Sequence, residues 1–369
     1  MKERINWIDW AKAIAVCSVV FCHLPQSQEW FYFRYMQATT ITVFFFISGY
    51  LKANHEDWSM ILYGIKRPVP MIRWRKYWNG LVLPYLLYNA IVYPYWFVRY
   101  TMLHGGMPDL FSAMKPIIGA LLFEHENAWA EPLNGPLWYL PAILMMHLII
   151  DLCRKTDYLH LIMIVLCIIS YFLYAANKEY EFLPNLTPMG LFRRLPYYYL
   201  GYVMGLKNHG DSPHVLRKFR TQGTVPMIPL ILLVAVSFAI SLLFFEWHLH
   251  ENRILIHAAL FYPVNIGLLA GLLCFCKLLD NWRCTIVTNL SIGTLVIIGT
   301  HIILIGIVNF GVDHFFGIRD GFGYYWYEAL PITIVIIGLL YPIIPFARKY
   351  APVLIGKTKS FNYGTGQDK

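Results

Sequence analysis

The sequence predicts an all-α, polytopic membrane protein with about ten transmembrane helices. Hydrophobic residues make up 58% of the 369 residues, charged residues make up 14%, and the mean hydropathy is +0.50. Soluble domains contain roughly 25% charged residues, so this composition is typical of a chain in contact with lipid. Apolar runs that are long enough, or nearly long enough, to cross a bilayer recur along the chain. They cover residues 8–25, 38–52, 78–100, 135–152, 158–176, 190–206, 225–245, 254–277, 286–310 and 327–346.

The distribution of lysine and arginine predicts how these helices are oriented. If the N-terminus lies in the cytosol, 22 of the 30 basic residues fall on the cytosolic side, as the positive-inside rule requires. Both termini are then cytosolic, and one membrane domain, residues 5–346, precedes a cytosolic tail, residues 347–369. This topology also accounts for the net charge of +9, so a nucleic-acid partner is not needed to explain it.

The first apolar run contains ionisable residues that align on one side of a helix. Lys12 and His23 stand eleven positions apart, which corresponds to about 16 Å of rise and roughly 20° beyond three turns. Asp9 lies three residues before Lys12 and can pair with its ammonium group. Ionisable residues inside a spanning helix usually face a bundle interior, a cavity or a substrate path. The alignment favours a polar channel, while the alternative is that Lys12 and His23 reach the head-groups at opposite interfaces.

A second group of basic residues lies just before the third run. Arg73, Arg75 and Lys76 surround Trp74. Guanidinium groups bind phosphate bidentately, and the indole ring can stack on a planar ring. The group therefore suits a nucleotide-like anion that arrives from the cytosol, although topology alone would also place basic residues here.

Polar and aromatic residues of later runs are weaker candidates for binding an acceptor substrate. Trp138 could stack on an uncharged sugar, whereas Arg193 and Arg194 would suit a phosphate-linked sugar or anchor their helix at the interface. His301, deep in the ninth run, is either a second polar group of the cavity or a packed, hydrogen-bonded histidine. Glu328 could play a similar part, but a position at head-group depth explains it more simply.

Other catalytic motifs do not account for this chain. His104 and Asp109 have the His-x4-Asp spacing of glycerolipid acyltransferases, but the residues between them are rich in glycine and proline and indicate a turn outside the membrane. The sequence contains no phosphate-binding P-loop, Gly-x-Ser-x-Gly elbow or His-Glu-x-x-His zinc motif. No metal ion is therefore expected.

A further motif follows in the second run, where Phe45-Phe46-Ile47-Ser48-Gly49 would by itself indicate close helix packing. Together with Lys12, His23 and the basic group before the third run, this motif resembles the acyltransferase-3 family of integral membrane acyltransferases. Enzymes of that family transfer acetyl, or sometimes succinyl, groups from cytosolic acyl-CoA to sugars of surface polysaccharides or lipid-linked glycans. The ten-span layout extends the resemblance over nearly the whole chain.

The resemblance also implies roles for individual residues. His23 would be the catalytic histidine, Lys12 its basic partner, and the segment that contains Ser48 a structural element near the site. Arg73 and Lys76 would match paired arginines that contact the acyl donor, although this sequence has a lysine at the second position and an intervening arginine. Two further stretches look like family segments, Gly135–Leu140 and Gly293–His301.

The chemistry expected of His23 agrees with this resemblance. A neutral imidazole can act as a general base on a sugar hydroxyl that attacks a thioester, and transfer through a covalent acyl-histidine is the other route. We therefore expect a plasma (inner) membrane O-acetyltransferase that uses acetyl-CoA and a glycan or lipid-linked sugar. Two alternatives stay open: a transporter or exporter of glycans or lipids with Lys12 and His23 in its pathway, and an N-acyltransferase of amino sugars.

Overall fold

Regular structure in the described part of the chain is entirely helical. The computed structural model describes residues 4–25, 31–53, 74–123, 133–154, 156, 158–180, 187–206, 231–232, 235–236, 239, 254–316 and 323–357. These residues form no β-strand, which confirms the all-α prediction. Their helices, numbered in chain order, are α1 Asn6–His23, α2 Phe31–Ala53, α3 Trp74–Tyr77, α4 Leu83–His104, α5 Leu110–Leu121, α6 Tyr139–Cys153, α7 Leu159–Tyr180, α8 Thr187–Gly205, α9 Ile254–Leu278, α10 Thr285–Ile292, α11 Thr294–Phe316, α12 Trp326–Leu340 and α13 Ile343–Tyr350.

Within the described residues, 4 helical segments are long and apolar enough to cross a membrane. They are Trp74–His104, Gly135–Cys153, Thr294–Phe315 and Trp326–Tyr350. Shorter apolar helical segments are Thr39–Ala53, Leu110–Leu121, Leu159–Leu173 and Tyr262–Leu278. Most of the run predicted at 225–245 lies outside the described residues. The protein is thus a helical membrane protein, while ten spans and cytosolic termini stay predictions.

Helix α1 lies inside the bundle. It contacts α2, α9, α10, α11 and α12, and Trp7, Val16 and Val20 are buried on it. Ala11 and Ala15 are also buried, and such small side chains let neighbouring helices approach closely. Polar side chains of α1 therefore lie among other helices.

Helices α2 and α8 touch through their backbones. A Cβ atom added at Gly201 would lie 2.0 Å from the carbonyl oxygen of Phe46, and one added at Gly205 would lie 2.3 Å from that of Tyr50. On the opposite helix, a Cβ atom at Gly49 would lie 2.0 Å from the carbonyl oxygen of Tyr198. No other residue type fits these positions at this helix separation. The packing expected for the segment around Ser48 and Gly49 is therefore found.

Two of the predicted runs are interrupted. The run at 286–310 is divided at Gly293 into α10 and α11, and a Cβ atom at Gly293 would lie 2.4 Å from Cδ1 of Ile344. The run at 327–346 is divided between α12 and α13 at Pro342, which has no backbone N–H to donate. Helix α13 therefore packs against the start of α11.

The beginning of the predicted tail packs on the bundle. A 3₁₀ turn, Pro352–Ile355, follows α13, and the hydroxyl of Tyr88 on α4 donates to the carbonyl oxygen of Leu354 at 2.8 Å. Ile355 is buried together with Val296 of α11. Residues 351–357 thus belong to the packed structure.

Candidate active site

His23 is the last residue of helix α1. Its Nδ1 atom lies 2.8 Å from the carbonyl oxygen of Val19. The side chain is exposed, between the buried Phe21 and Leu24. An exposed histidine at the end of a buried helix can meet a substrate.

A second histidine lies directly against His23. The ring centroids of His23 and His301 are 5.0 Å apart, with an interplanar angle of 70°. His301 lies on α11 and is 0% exposed, and its Nδ1 atom lies 2.9 Å from the carbonyl oxygen of Ile297 and 3.0 Å from that of Ile298. The structure thus brings together two of the residues that the sequence singled out.

The contacts of both rings determine which nitrogen carries the proton. A carbonyl oxygen only accepts hydrogen bonds, so Nδ1 is the N–H of each neutral ring and Nε2 carries the lone pair. Among the described residues, Nε2 of His301 has no hydrogen-bond partner although it is buried. A buried acceptor of this kind usually has a partner, and a hydroxyl or an N–H is what it can bind.

Asn134 is hydrogen-bonded to the backbone of α11. Its Nδ2 atom donates to the carbonyl oxygen of Gly299 at 2.8 Å, two residues before His301. Its Oδ1 atom is buried and has no hydrogen-bond partner within the described part of the chain. No pattern in the sequence connected Asn134 with α11.

Asp9 pairs with Arg4 rather than with Lys12. Arg4 contacts Asp9 through Nε and also through Nη2, which lies 2.9 Å from Oδ1. The hydroxyl of Ser291 on α10 donates to the same carboxylate at 2.6 Å. Because Arg4 precedes the helix, it can turn back onto Asp9, which the helical spacing alone did not indicate. Asp9 thus ties the start of α1 to α10.

Lys12 lies further along α1, half-buried. Asp9, Arg4 and Lys357 are the described charged groups close enough to influence it electrostatically. Lys357 follows the 3₁₀ turn that packs on α4, and this segment brings a cation toward α1. With Asp9 held by Arg4, the surroundings of Lys12 favour an anionic ligand.

The predicted donor-binding residues lie at the start of the third helical segment. Trp74, Arg75 and Lys76 are exposed on α3, and Arg73 lies outside the described residues. Ser48 is half-buried on α2. Their exposure lets these three side chains contact a soluble ligand.

The predicted acceptor-binding residues are distributed over several helices. Trp138 packs against Phe45, with ring centroids 5.8 Å apart. Arg194 is 8% exposed and Arg193 is half-buried on α8. The hydroxyl of Tyr262 on α9 lies 3.5 Å from the carbonyl oxygen of Arg193. Arg194 is therefore buried within the helix bundle.

Two of the polar residues discussed from the sequence cap the N-terminal ends of helices. The carboxylate of Glu328 accepts a hydrogen bond from the backbone N–H of Tyr325 at 2.9 Å and so caps α12. Asp109 accepts one from the N–H of Ser112 at 2.8 Å at the start of α5, and hydrogen bonds from Ser112 lower the pKa of Asp109. Between His104 and Asp109, Gly105 has a φ of 67°, which confirms the predicted turn.

Sequence reasoning missed one group of buried polar residues, which we call the Lys52 cluster. It consists of Lys52, Tyr77, His147, Asp151 and Tyr198, from four different helical segments. Two signals pointed to it, Lys52 at the end of the second apolar run and the acidic Asp151 at the end of the fourth. Partners from distant parts of the sequence could not be assigned without the fold.

Within the described ranges, no group of three or more His, Cys, Asp or Glu side chains is placed to hold a metal ion. The two histidines instead present nitrogen lone pairs inside a helical bundle, as proton-transfer chemistry requires. Fold and site thus define a membrane protein with an internal histidine site.

Comparison with known proteins identifies the family. A family model described as an acyltransferase domain, that of the acyltransferase-3 family, matches residues 5–345, nearly the whole chain. The chain belongs to the acyltransferase-3 family, which confirms the resemblance noted from its motifs and makes it a membrane acyltransferase. No curated protein and no solved structure matches the chain.

Proposed function

We propose that this protein transfers an acetyl group from cytosolic acetyl-CoA to a hydroxyl of a cell-envelope glycan or lipid-linked sugar at the plasma membrane. His23 is the general base. The proposal is supported by the family and, above all, by the contact between an accessible His23 and a fully buried His301. Both side chains keep Nε2 available for a substrate proton.

The proposed reaction needs only one proton carrier. Nε2 of His23 takes the proton of the acceptor hydroxyl while the oxygen attacks the thioester carbonyl carbon. The tetrahedral intermediate collapses, the carbon–sulfur bond breaks, and the proton passes from His23 to the departing thiolate. The products are an acetyl ester and coenzyme A with a free thiol, so atoms and charge balance.

His301 would assist by accepting a hydrogen bond. When His23 is protonated, both of its nitrogens are donors, and Nδ1 keeps its contact with the carbonyl oxygen of Val19. Nε2 of His301 is then a suitable acceptor for the second N–H, or for the acceptor hydroxyl before transfer.

The remaining residues are assigned according to their surroundings. Lys12 would meet a negatively charged part of the donor, and Asp9, held by Arg4 and Ser291, would position α1 without touching substrate. The interior Arg194 would suit a phosphate-linked acceptor. We leave Glu328 out of the site because its carboxylate caps α12.

A test compares two histidine variants of the purified protein in lipid. His104 is, like His23, the last residue of its helix and has Nδ1 near a carbonyl oxygen four residues earlier, at 3.0 Å. We expect His23→Ala to lower release of free thiol from acetyl-CoA by about 100- to 10,000-fold, with envelope glycans as acceptor. His104→Ala should leave the rate unchanged.

The same assay separates the competing functions. A transporter would move its solute without consuming thioester, so equal and negligible thiol release by the wild-type protein and both variants would contradict an acyltransferase. Mild alkali hydrolyses an ester but leaves an amide intact. Acetyl groups that resist alkali on the product would therefore indicate N-acylation in place of the proposed O-acylation.

A further inference from the structure

The Lys52 cluster forms a closed set of contacts. The ammonium group of Lys52 donates to Oδ1 of Asp151 at 2.5 Å and to the hydroxyl of Tyr77 at 2.5 Å. That hydroxyl donates to Oδ2 of Asp151. Both oxygens of the carboxylate are therefore used, and Asp151 is only 9% exposed.

These contacts join helices from distant parts of the chain. Lys52 is next to the last residue of α2, Tyr77 ends α3, and Asp151 lies in the last turn of α6. His147, one turn before Asp151, packs on the ring of Tyr77 with centroids 5.5 Å apart. Its Nδ1 atom is hydrogen-bonded to the hydroxyl of Tyr198 on α8 at 2.7 Å. Tyr77 is thus held by two neighbouring helices and connected through His147 to a third.

The chain changes its helical form directly after Tyr77. A π-helical turn, Trp78–Val82, separates α3 from α4. Such turns are rare and often occur at functional sites. Here Tyr77 is buried, while the residues on either side, Lys76 and Trp78, are exposed. The contacts of Tyr77 therefore determine where the exposed residues of α3 lie.

The exposed residues beside the cluster carry the features of a phosphate-binding surface. Arg75 and Lys76 are exposed, and Arg154 adds a guanidinium group 3.6 Å from Asp151. Trp74, 60% exposed, offers a ring for stacking. A nucleotide bearing several phosphates fits both properties.

We propose that the Lys52 cluster positions the acyl donor. Lys52 and Asp151 hold Tyr77, and Tyr77 holds Trp74, Arg75 and Lys76 where they bind the phosphates and adenine of acyl-CoA. The cluster members act through α3 and are positioning residues. This inference rests on the proposed function, because it takes acyl-CoA as the donor.

Binding of coenzyme A itself tests the inference without any reaction. Calorimetric titration of the purified full-length protein in detergent measures its dissociation constant. Tyr77→Phe removes one hydroxyl, and Lys52→Met removes the cation while keeping much of the side-chain volume. We expect each to weaken binding by about tenfold or more, and the KM for acetyl-CoA to rise in parallel. The KM for the acceptor should stay within about twofold of the wild-type value, because residues that only position the donor do not affect binding of the acceptor.

A matched control is present in α9. Lys277 forms an ion pair with Asp280 with the same Nζ–O distance, 2.5 Å, and neither residue belongs to the Lys52 cluster. Lys277→Met should leave coenzyme A binding unchanged. Lys52→Arg should restore binding in part, because the guanidinium group can still pair with Asp151.

The double variant Lys52→Met with Asp151→Asn covers the case in which a single variant fails to fold. It removes both buried charges together, which leaves neither uncompensated, and we expect it to be folded and to bind coenzyme A weakly. If the wild-type protein binds coenzyme A and the folded variants bind it equally well, the inference is wrong and the proposed function stands. If the wild-type protein does not bind coenzyme A at all, the proposed function itself is wrong.

Discussion

The two histidines of the candidate site are oriented by their own helices. In each, Nδ1 is bonded to a backbone carbonyl oxygen of the preceding turn. A hydrogen bond at one ring nitrogen determines the tautomer and limits rotation of the ring. His23 and His301 therefore present Nε2 in a defined direction before any substrate binds, and such preorganisation favours catalysis.

The role of His301 leads to a prediction about substitutions that keep or remove an acceptor. His301→Leu should lower the turnover number by about 10- to 100-fold, because a buried hydrogen bond of about 1–3 kcal/mol is lost in the transition state. His301→Gln, whose amide oxygen can accept a hydrogen bond, should recover part of this loss. Steady-state kinetics with both substrates measures the effect, and the KM for acetyl-CoA should change little.

A control distinguishes this role from general damage to the protein. His160 on α7 is half-buried and its Nδ1 atom is hydrogen-bonded to the hydroxyl of Tyr199 at 2.6 Å. His160→Leu removes a comparable side chain away from α1 and should leave the turnover number unchanged. Equal turnover in His301→Leu and wild type would contradict the assistance assigned to His301.

The relative positions of single residues could be predicted only where the residues share one helix. Lys12 and His23 were found because eleven positions on one helix determine their relative direction. The contact of His23 with His301 depends on how α1 packs against α11, which no local pattern contains. The ion pair of Asp9 with Arg4 was not predicted, because Arg4 precedes the helix and reaches Asp9 from outside it.

At the scale of helices, the contact between α2 and α8 leads to a stability prediction. Gly201→Ala places a Cβ atom where the carbonyl oxygen of Phe46 lies, since the two would be 2.0 Å apart. The helices must separate, and overpacking of this kind costs about 1–3 kcal/mol. We expect a clearly lower midpoint of thermal unfolding in detergent.

The control for this prediction is a glycine in an open position. Gly338 on α12 is exposed, and a Cβ atom added there would meet nothing within 4 Å. Gly338→Ala should leave the midpoint unchanged or raise it slightly, since alanine is favoured over glycine in helices by about 1 kcal/mol. A Gly201→Ala protein as stable as Gly338→Ala would contradict the close packing of α2 and α8.

The helices themselves were largely predictable, whereas their ends were not. Long apolar runs predicted most of the described helices, and glycine- and proline-rich residues predicted the turn before α5. The interruption at Gly293 has a tertiary cause, because the side chain of Ile344 occupies the space beside it. The π-helical turn after Tyr77 gives no signal in a hydrophobicity pattern.

The topology of the whole molecule is open to a labelling test. Met107 and Asn281 are both exposed, and the predicted orientation places them outside and in the cytosol, respectively. In a background with Cys284→Ser, a membrane-impermeant maleimide applied to intact cells should label Met107→Cys but not Asn281→Cys. After the membrane is opened, both should react. Labelling of Asn281→Cys in intact cells would contradict the orientation inferred from the basic residues.

In the proposed function, the molecule accepts its two substrates from two sides. The exposed aromatic and basic residues of α3 would hold the donor at the cytosolic end, and the histidine pair would meet the acceptor. Composition and charge distribution were enough to predict a membrane protein and an orientation for it. The contacts of the Lys52 cluster and the approach of Lys357 to Lys12 join distant parts of the chain and emerged only from the fold.

The central claim is that the imidazole ring of His23 carries the proton during acyl transfer. The most direct test is chemical rescue of His23→Gly, because the exposed position of His23 gives free imidazole access to the vacated space. His23→Gly should release thiol from acetyl-CoA about 100- to 10,000-fold more slowly than the wild type. Added imidazole should restore the rate in a concentration-dependent way, with no effect on His104→Gly. Thiol release by His23→Gly at the wild-type rate without imidazole would contradict the account.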